Sequence, residues 1–347
     1  MPNGNPAVLD GFYKGKAYGE VADHLAEMGL NANVMRQAYA ENRIMRGNAT
    51  LLREKEWERL DNAVVHVAHA NLQVVNFFRT YGGGQLVYPI EALDQTVLSY
   101  DTLSDGTPAE LGMEIHARTE GFKQKFIRKY MPVPVAYKDY DIGIRELRMS
   151  RNLGSGLDTG LAEAAGFYVT DLIEDVFVNG RSTELDYGGG KLYGLLDFEH
   201  THEVQLNGAW TASGITGDDM LEDLQNLIQA CVDDYRYGPY AFFIPEAWRT
   251  AVTKRYNVYD SRSIAEVIRS TEKIVHFDLA HKLPANVPLL VDLSPMTLQV
   301  VVGMPVSNIP WEGASPFEPL HHKVIGCILP RPRVDQDGRC GIAKGTV

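Results

Sequence analysis

The sequence is poor in cysteine and has no long apolar segment, and each absence excludes a class of protein. Its three cysteines, Cys231, Cys327 and Cys340, lie far apart in 347 residues. This spacing supports neither a zinc site nor a disulfide framework, and it suits a reducing compartment such as a bacterial cytoplasm. No apolar run approaches the roughly 18 residues that span a bilayer, so no membrane partner is expected.

Motifs for catalysis and cofactor binding are also missing. The glycine runs at 82–84 and 188–190 match neither the dinucleotide fingerprint nor the phosphate-binding loop. The segment around Ser155 resembles a nucleophile elbow only in part, because Leu153 breaks the required spacing. No HExxH zinc motif is present. We therefore expect no catalysis, no cofactor and no resident metal.

One histidine pair keeps an enzymatic alternative open. His200 and His202 are flanked by Glu199 and Glu203. On a strand these two imidazoles would share a face, which is the geometry of a partial metal site. A third ligand set is not evident, so a metal-dependent enzyme using His200 and His202 stands as an alternative function.

The overall charge argues against a general nucleic-acid-binding surface. The formal net charge is −12, with 22% charged and 45% hydrophobic residues. A length of 347 residues corresponds to about two domains plus extensions. A subunit that surrounds DNA without binding it tightly has such a composition, and so do many cytosolic enzymes.

Three helices stand out by their periodicity. One long helix is expected at 50–80, a second at 158–180, and a third from about 218 to 237. The second should bury an apolar stripe, and its members are Leu161, Ala165, Tyr168, Leu172 and Val176. From residue 241 onward short strands alternate with short helices, one of which begins at a Ser263–Glu266 capping box. This alternation predicts an α+β or α/β domain at 217–315.

Residues 92–135 have the pattern of a protruding β-hairpin. Two extended arms flank a polar turn at 101–112. On the returning arm, aromatic residues Phe122, Phe126 and Tyr130 alternate with Lys123, Lys125 and Lys129. A strand with one lysine face is not a core strand, so we expect the hairpin to lie on another surface.

Charge complementarity suggests which surface that is. Residues 118–129 hold five basic residues and one acid, whereas residues 192–235 hold nine acids and no lysine or arginine. The helix at 158–180 adds five acids. In a monomer the lysine face can simply be solvated; in an assembly, the hairpin of one subunit can lie over the acidic surface of its neighbour. The candidate assembly interface comprises Arg118, Lys123, Lys125, Arg128, Lys129, Asp171, Glu174 and Asp175.

The order of these elements resembles a known family. Short sequences carry the resemblance, and they are residues 51–57 (LLREKEW), 132–142 (PVPVAYKDYDI), 145–151, 157–159, 176–180 (VFVNG), 192–196 (LYGLL) and 237–245 (YGPYAFFIP) with Trp248. Together they resemble the encapsulin-like branch of tailed-bacteriophage major capsid proteins, whose subunits have the α+β Hong Kong 97 type capsid fold. The resemblance covers roughly residues 50–330.

The resemblance implies a domain plan. Residues 1–50 would be an N-terminal arm, and 92–135 the E-loop hairpin that reaches over a neighbouring subunit. A peripheral domain would comprise 51–91, 136–216 with the spine helix at 158–180, and a strand at 316–330. Residues 217–315 would form the axial domain, which clusters at five- and six-fold positions, and 331–347 a polar C-terminal tail.

The resemblance also implies a function. The chain would be a structural subunit that self-assembles as pentamers and hexamers into an icosahedral phage head. It would enclose double-stranded DNA without sequence specificity, with scaffold, portal or decoration proteins as further partners. It would be a virion protein that is assembled in the bacterial host cytoplasm. An encapsulin-type compartment that encloses cargo enzymes is the alternative; the 50 residues before the matching region favour the phage.

Overall fold

The computed structural model describes residues 52–103, 126–153, 157–257, 259–311, 318–335 and 337–347. The chain divides into two compact units. The first unit holds the described residues up to 68 with 137–169 and 306–325; the second holds 69–136, 170–305 and 326–347. The N-terminal arm expected at 1–50 lies outside the described residues. The domain limits implied by the resemblance stay a prediction.

The described chain is a mixture of helices and strands, as the expected α+β class requires. The helices are α1 (Glu54–Asn71), α2 (Gln73–Thr80), α3 (Ile144–Leu153), α4 (Gly160–Asn179), α5 (Gly217–Asp233), α6 (Arg249–Val252) and α7 (Ile264–Arg269). The strands are β1 (Val87–Pro89), β2 (Val97–Leu103), β3 (Phe126–Pro132), β4 (Ala136–Ile142), β5 (Asp186–Tyr187), β6 (Gly190–Lys191), β7 (His202–Gln205), β8 (Tyr240–Pro245), β9 (Ile274–Ala280), β10 (Leu289–Asp292), β11 (Leu298–Trp311), β12 (Leu320–Pro332) and β13 (Ile342–Thr346). No described helix has the length and apolar character needed to cross a membrane.

The single helix expected at 50–80 is two helices. Leu72 separates α1 from α2 and has a non-helical backbone, with φ −79° and ψ 76°. The backbone N–H groups of Val74 and Val75 at the start of α2 donate to the carboxylate of Glu174, at 2.7 and 3.3 Å. This carboxylate comes from about 100 residues away, so the apolar periodicity of the segment could not reveal the break.

The helix predicted at 158–180 is confirmed as α4, and its predicted apolar stripe is buried at Ala165 and Val176 only. Leu161, Tyr168 and Leu172 are exposed. The rest of the buried face includes Ala162, Val169, Ile173 and Phe177. Nearly every turn of α4 has apolar residues on more than one side, so periodicity alone selected a stripe that overlaps the buried face only in part.

In the first unit, helices and strands pack around aromatic and aliphatic side chains. Gly166 of α4 faces Val64 of α1, and a Cβ at this glycine would lie 3.5 Å from the Val64 Cα. His322 of β12 is buried, with its ring centroid 5.0 Å from that of Tyr140 and 5.3 Å from that of Trp57. Burial lowers the pKa of His322 to about 4, so the imidazole is neutral at ordinary pH.

The second unit contains a five-stranded sheet with the order β7-β13-β10-β8-β9. Its core includes the stacked indole rings of Trp210 and Trp248, whose centroids are 4.5 Å apart. Helix α5 begins at a capping box of Thr216 and Asp219, and α7 begins at the predicted capping box of Ser263 and Glu266. These reciprocal hydrogen bonds satisfy backbone N–H groups that a helix start leaves unpaired.

The expectation of a polar tail at 331–347 is wrong. Residues Ile342–Thr346 form β13, which lies between β7 and β10 inside the sheet. Ile342 and Ala343 are fully buried. Strand β7 also belongs to this sheet, although the resemblance assigned 136–216 to the peripheral domain. A five-residue strand that contains lysine and glycine is a weak local signal, and its partners are distant in sequence.

A four-stranded sheet has the order β1-β11-β12-β4. Strands β11 and β12 are 14 and 13 residues long. In the second unit β1 pairs with β11 in parallel, from Val87 opposite Val300 to Pro89 opposite Val302. A core cluster of the same unit includes Leu98 and Met131 of the β2–β3 hairpin together with Val176, Val301 and Leu329. The hairpin is therefore anchored at its base.

Candidate assembly interface

The hairpin predicted at 92–135 is confirmed in its described part. Strands β2 and β3 pair antiparallel from Val97 opposite Pro132 to Leu103 opposite Phe126. Of the five basic residues expected on this hairpin, Arg128 and Lys129 lie in β3. Arg118, Lys123 and Lys125 lie outside the described residues, so their part in the interface stays a prediction.

The two described basic residues point to opposite faces of β3, because successive side chains of a strand alternate. The Arg128 Nε donates to Oδ1 of Asp101 across the hairpin at 3.0 Å, and this carboxylate raises the pKa of Arg128. Both side chains are accessible to solvent, which weakens this ion pair. In the described part of the chain Lys129 has no carboxylate within 4 Å. Among these residues its charge is therefore unpaired.

Strand β3 exposes large apolar side chains as well as basic ones. Phe126 is 64% exposed, Ile127 51% and Tyr130 42%. Toward the base of the hairpin, Met131 becomes buried. Phe126 and Tyr130 share one face of the strand and Ile127 lies on the other, so both faces of the described hairpin expose apolar side chains. The sequence pattern identified Phe126 and Tyr130 but missed Ile127, because exposure depends on what the rest of the fold leaves uncovered.

The three acidic residues predicted for the interface are occupied within their own chain. The Asp171 carboxylate binds the Lys282 ammonium group at 2.6 Å. Asp175 binds the Arg181 guanidinium at 2.6 Å and accepts from the Asn179 amide at 2.7 Å. Asp171 and Asp175 are partly exposed, so they remain accessible to a second cation. The structure does not bring them to Arg128 or Lys129 within one chain.

Glu174 differs from the expectation for a surface residue. It is only 4% exposed, and both carboxylate oxygens accept backbone N–H groups at the start of α2. Desolvation raises the pKa of Glu174 to about 7, although these hydrogen bonds and Lys282 act in the opposite direction. Glu174 therefore acts inside the subunit, as the N-terminal cap of α2, and cannot meet a neighbour's lysine.

The histidine pair does not form the metal site considered from the sequence. Only His202 lies in β7; His200 precedes the strand in a turn. The His202 Nε2 is 2.7 Å from Oδ2 of Asp234 and 3.3 Å from the Cys340 carbonyl oxygen. Among the described residues no group of three or more His, Cys, Asp or Glu side chains is arranged to hold a metal ion. His202 instead links β7 to the end of α5.

A glycine contact explains two of the short sequences that carry the family resemblance. Gly180 ends α4 with φ +75°, a conformation that favours glycine. A Cβ on Gly194 would lie 2.2 Å from the Gly180 backbone nitrogen. The Asp197 carboxylate accepts the N–H groups of Gly194 at 2.5 Å and Ser182 at 3.1 Å. The asparagine–glycine and tyrosine–glycine pairs thus form one close backbone crossing.

The sequence matches a family model and a curated protein. A family model described as "Family of unknown function (DUF6260)" matches residues 48–344. The type 1 encapsulin shell protein EncA of Myxococcus xanthus is 24% identical over 217 residues, which are 62% of this chain and 68% of that protein.

Two solved structures share the fold over most of the chain. The virus-like particle from Pyrococcus furiosus gives a TM-score of 0.60 at 18% identity, covering 84% of this chain and 99% of that one. The capsid of Myoviridae phage XM1 gives 0.57 at 15% identity, covering 77% and 91%. The expected Hong Kong 97 type capsid fold is thereby confirmed. Because the family model spans nearly all of the chain, this protein belongs to the DUF6260 family.

Proposed function

We propose that the chain is a shell-building subunit, the major capsid protein of a tailed bacteriophage. The observation that carries the proposal is the shared fold, which extends over 99% of the particle-forming Pyrococcus furiosus chain. The subunit assembles with its own copies, as pentamers and hexamers, into an icosahedral head. This head encloses double-stranded DNA, and the chain is a component of the virion.

The hairpin supplies a physical basis for assembly. Burying a large apolar side chain contributes about 1.5–3 kcal/mol, and Phe126, Ile127 and Tyr130 are available for burial on a neighbour. An exposed ion pair contributes only about 0–1 kcal/mol. Apolar contact is therefore the larger stabilising contribution, while the basic residues of the hairpin select an acidic surface and set the register. Many weak contacts of this kind add up in a closed shell.

The bulk charge supports enclosure of DNA without sequence-specific binding. A chain with net charge −12 has no general attraction for phosphates. Scaffold, portal and decoration proteins are further partners that this proposal includes. Assembly takes place in the bacterial host cytoplasm, to which three buried free thiols are suited.

A cellular compartment is the second candidate function. The similarity to EncA of Myxococcus xanthus favours it, because that protein is named as an encapsulin shell protein. Both candidates require the same shell geometry and differ in what the shell contains. The molecules found inside the shell therefore distinguish the two candidate functions, whereas the structure of the subunit does not.

The test is electron microscopy of the chain expressed alone, after size-exclusion chromatography. We expect closed icosahedral particles or tubes in negative stain. A strictly monomeric chain at every salt concentration, including after addition of any scaffold protein encoded beside it, would contradict the proposal. Particles that copurify with a folded enzyme inside would favour the compartment; particles that protect phage DNA from nuclease would favour the phage head.

A further inference from the structure

A cavity of about 510 Å³ lies beside the base of the hairpin, within the second unit. Its wall includes Tyr100 and Lys129 of the hairpin, Lys191 of β6 and Arg331 near the end of β12. This volume is in the range of small-molecule sites. The turn at β5–β6 is held against the hairpin, since a Cβ on Gly190 would lie 1.9 Å from the Tyr130 carbonyl oxygen. The wall is therefore fixed in place by backbone contact.

Arg331 is an unusual residue in this wall because its charge is buried. It is 5% exposed, and its Nε has no hydrogen-bond acceptor. One terminal nitrogen donates to Gln299 at 3.0 Å, and the guanidinium carbon lies 4.0 Å from the Tyr100 ring centroid. Within the described ranges no carboxylate lies within 4 Å of it. A buried cation without an anionic partner is costly unless something neutralises it.

A second guanidinium, that of Arg333, increases that cost. Burial and the charge of Arg333 both lower the pKa of Arg331. In the described part of the chain, neither Lys129 nor Lys191 has a carboxylate within 4 Å. The wall also contains two acids, Asp186 and Glu199, and Glu199 already accepts the Tyr193 hydroxyl. Among the described residues of the wall, three cations without an ion pair, Lys129, Lys191 and Arg331, thus face two acids.

We propose that the cavity binds a small oxyanion, a phosphate or carboxylate group, held by Arg331 together with Lys129 and Lys191. A guanidinium presents a planar fork of N–H donors that matches two oxygens of either group. The aromatic rings in the wall, among them Tyr100 and Tyr130, replace water on one side of the site and strengthen this electrostatic attraction. All three cations belong to one chain, and Lys129 is shared with the candidate assembly interface.

The experiment is isothermal titration calorimetry, in which the full chain is titrated with inorganic phosphate and, separately, with succinate. We expect saturable binding of one anion per chain for at least one of these probes; their relative affinities show whether phosphate or carboxylate is preferred. The double substitution Lys129→Ala/Lys191→Ala should weaken binding by about tenfold, and Arg331→Gln should abolish it. Arg262→Gln, which removes an exposed guanidinium paired with Asp260, is the matched control and should bind normally.

Two results would overturn the proposal. The first is no saturable binding of either anion up to about 10 mM, the weak end of useful affinity. The second is an equal loss in the Arg262→Gln control, which would mean general charge screening. Thermal unfolding without ligand identifies a variant that has lost its fold. If Arg331→Gln does not fold, the double variant Lys129→Ala/Lys191→Ala tests the proposal by itself, because both lysines are less buried than Arg331.

Discussion

The carboxyl group of Glu174 lies at the N-terminus of α2, where two backbone N–H groups point toward it. A negative charge is favourable at this end of a helix. Burial opposes the charge, and the balance raises the pKa of Glu174 to about 7. The helix break at Leu72 and the raised pKa of Glu174 thus have the same cause, which is the burial of this carboxyl group at the start of α2.

This balance predicts a pH dependence of stability. The folded chain keeps the Glu174 proton up to about pH 7, whereas the unfolded chain loses it near the ordinary value of 4.5. As the pH rises from about 4.5 to 7, Glu174 should therefore reduce the free energy of unfolding by roughly 3 kcal/mol. Above pH 7 its contribution should not change further. Urea unfolding of the wild type and Glu174→Gln at pH 5 and 7.5 measures it. The variant should lose this part of the pH dependence.

Glu184 provides the control for this experiment. It is largely exposed and pairs with Arg181. Glu184→Gln should therefore keep the slope of the wild type. An unchanged slope in Glu174→Gln would mean that another group titrates in this range.

Gly194 is a residue where we expect a large effect of one added methyl group. A Cβ there would meet the Gly180 nitrogen at 2.2 Å and its Cα at 2.7 Å, and backbone atoms cannot move aside. Gly194→Ala should reduce the free energy of unfolding by more than about 2 kcal/mol. Chemical denaturation checks this. Gly166→Ala, whose nearest neighbours would be at 3.5 Å, should be neutral or stabilising and is the matched control.

At the scale of elements, the spine helix α4 shows the limits of periodicity. Its limits follow from local signals, since Thr159 and Asp158 precede it and Gly180 ends it. Local signals do not determine which face of α4 is buried. Leu172 is 44% exposed while its neighbour Ile173 is 3% exposed, and both satisfy an apolar pattern. Packing against neighbouring segments selects the face, and a one-dimensional pattern contains no information about those segments.

The hairpin provides a prediction at the same scale. Reversing the charges of Lys123, Lys125 and Lys129 to Glu should impair shell assembly and leave the subunit folded, because a neighbour's acidic surface would be repelled. Light scattering during assembly and circular dichroism of the subunit measure the two effects. Reversal of three exposed lysines elsewhere, Lys55, Lys138 and Lys254, is the control for total charge. Normal shells from the hairpin variant would show that electrostatic complementarity is not needed.

For the whole molecule, the position of β13 gives the clearest prediction. Deleting residues 342–347 removes the strand between β7 and β10 and exposes the edges of both. The truncated chain should either fail to fold or form aggregates, because Ala343 belongs to a hydrophobic core cluster of the second unit and unpaired strand edges associate. Thermal unfolding and solubility measure this. A truncated chain with the melting temperature of the full chain would support the tail interpretation instead.

Local sequence determined much of this protein. Ser263 with Glu266, Thr216 with Asp219 and Gly180 fix helix ends through contacts within a few residues. Alternation along β3 predicts a hairpin, and the order of the elements is that of the shell-forming fold. These features depend on neighbours in the chain, so the sequence contains them directly.

Tertiary structure decided the rest. The break at Leu72 depends on Glu174, the buried face of α4 depends on segments that pack against it, and β13 becomes a strand because β7 and β10 lie on either side. Each of these outcomes is a contact between residues far apart in sequence. The free energy of such a contact depends on burial and distance, which exist only in the folded chain.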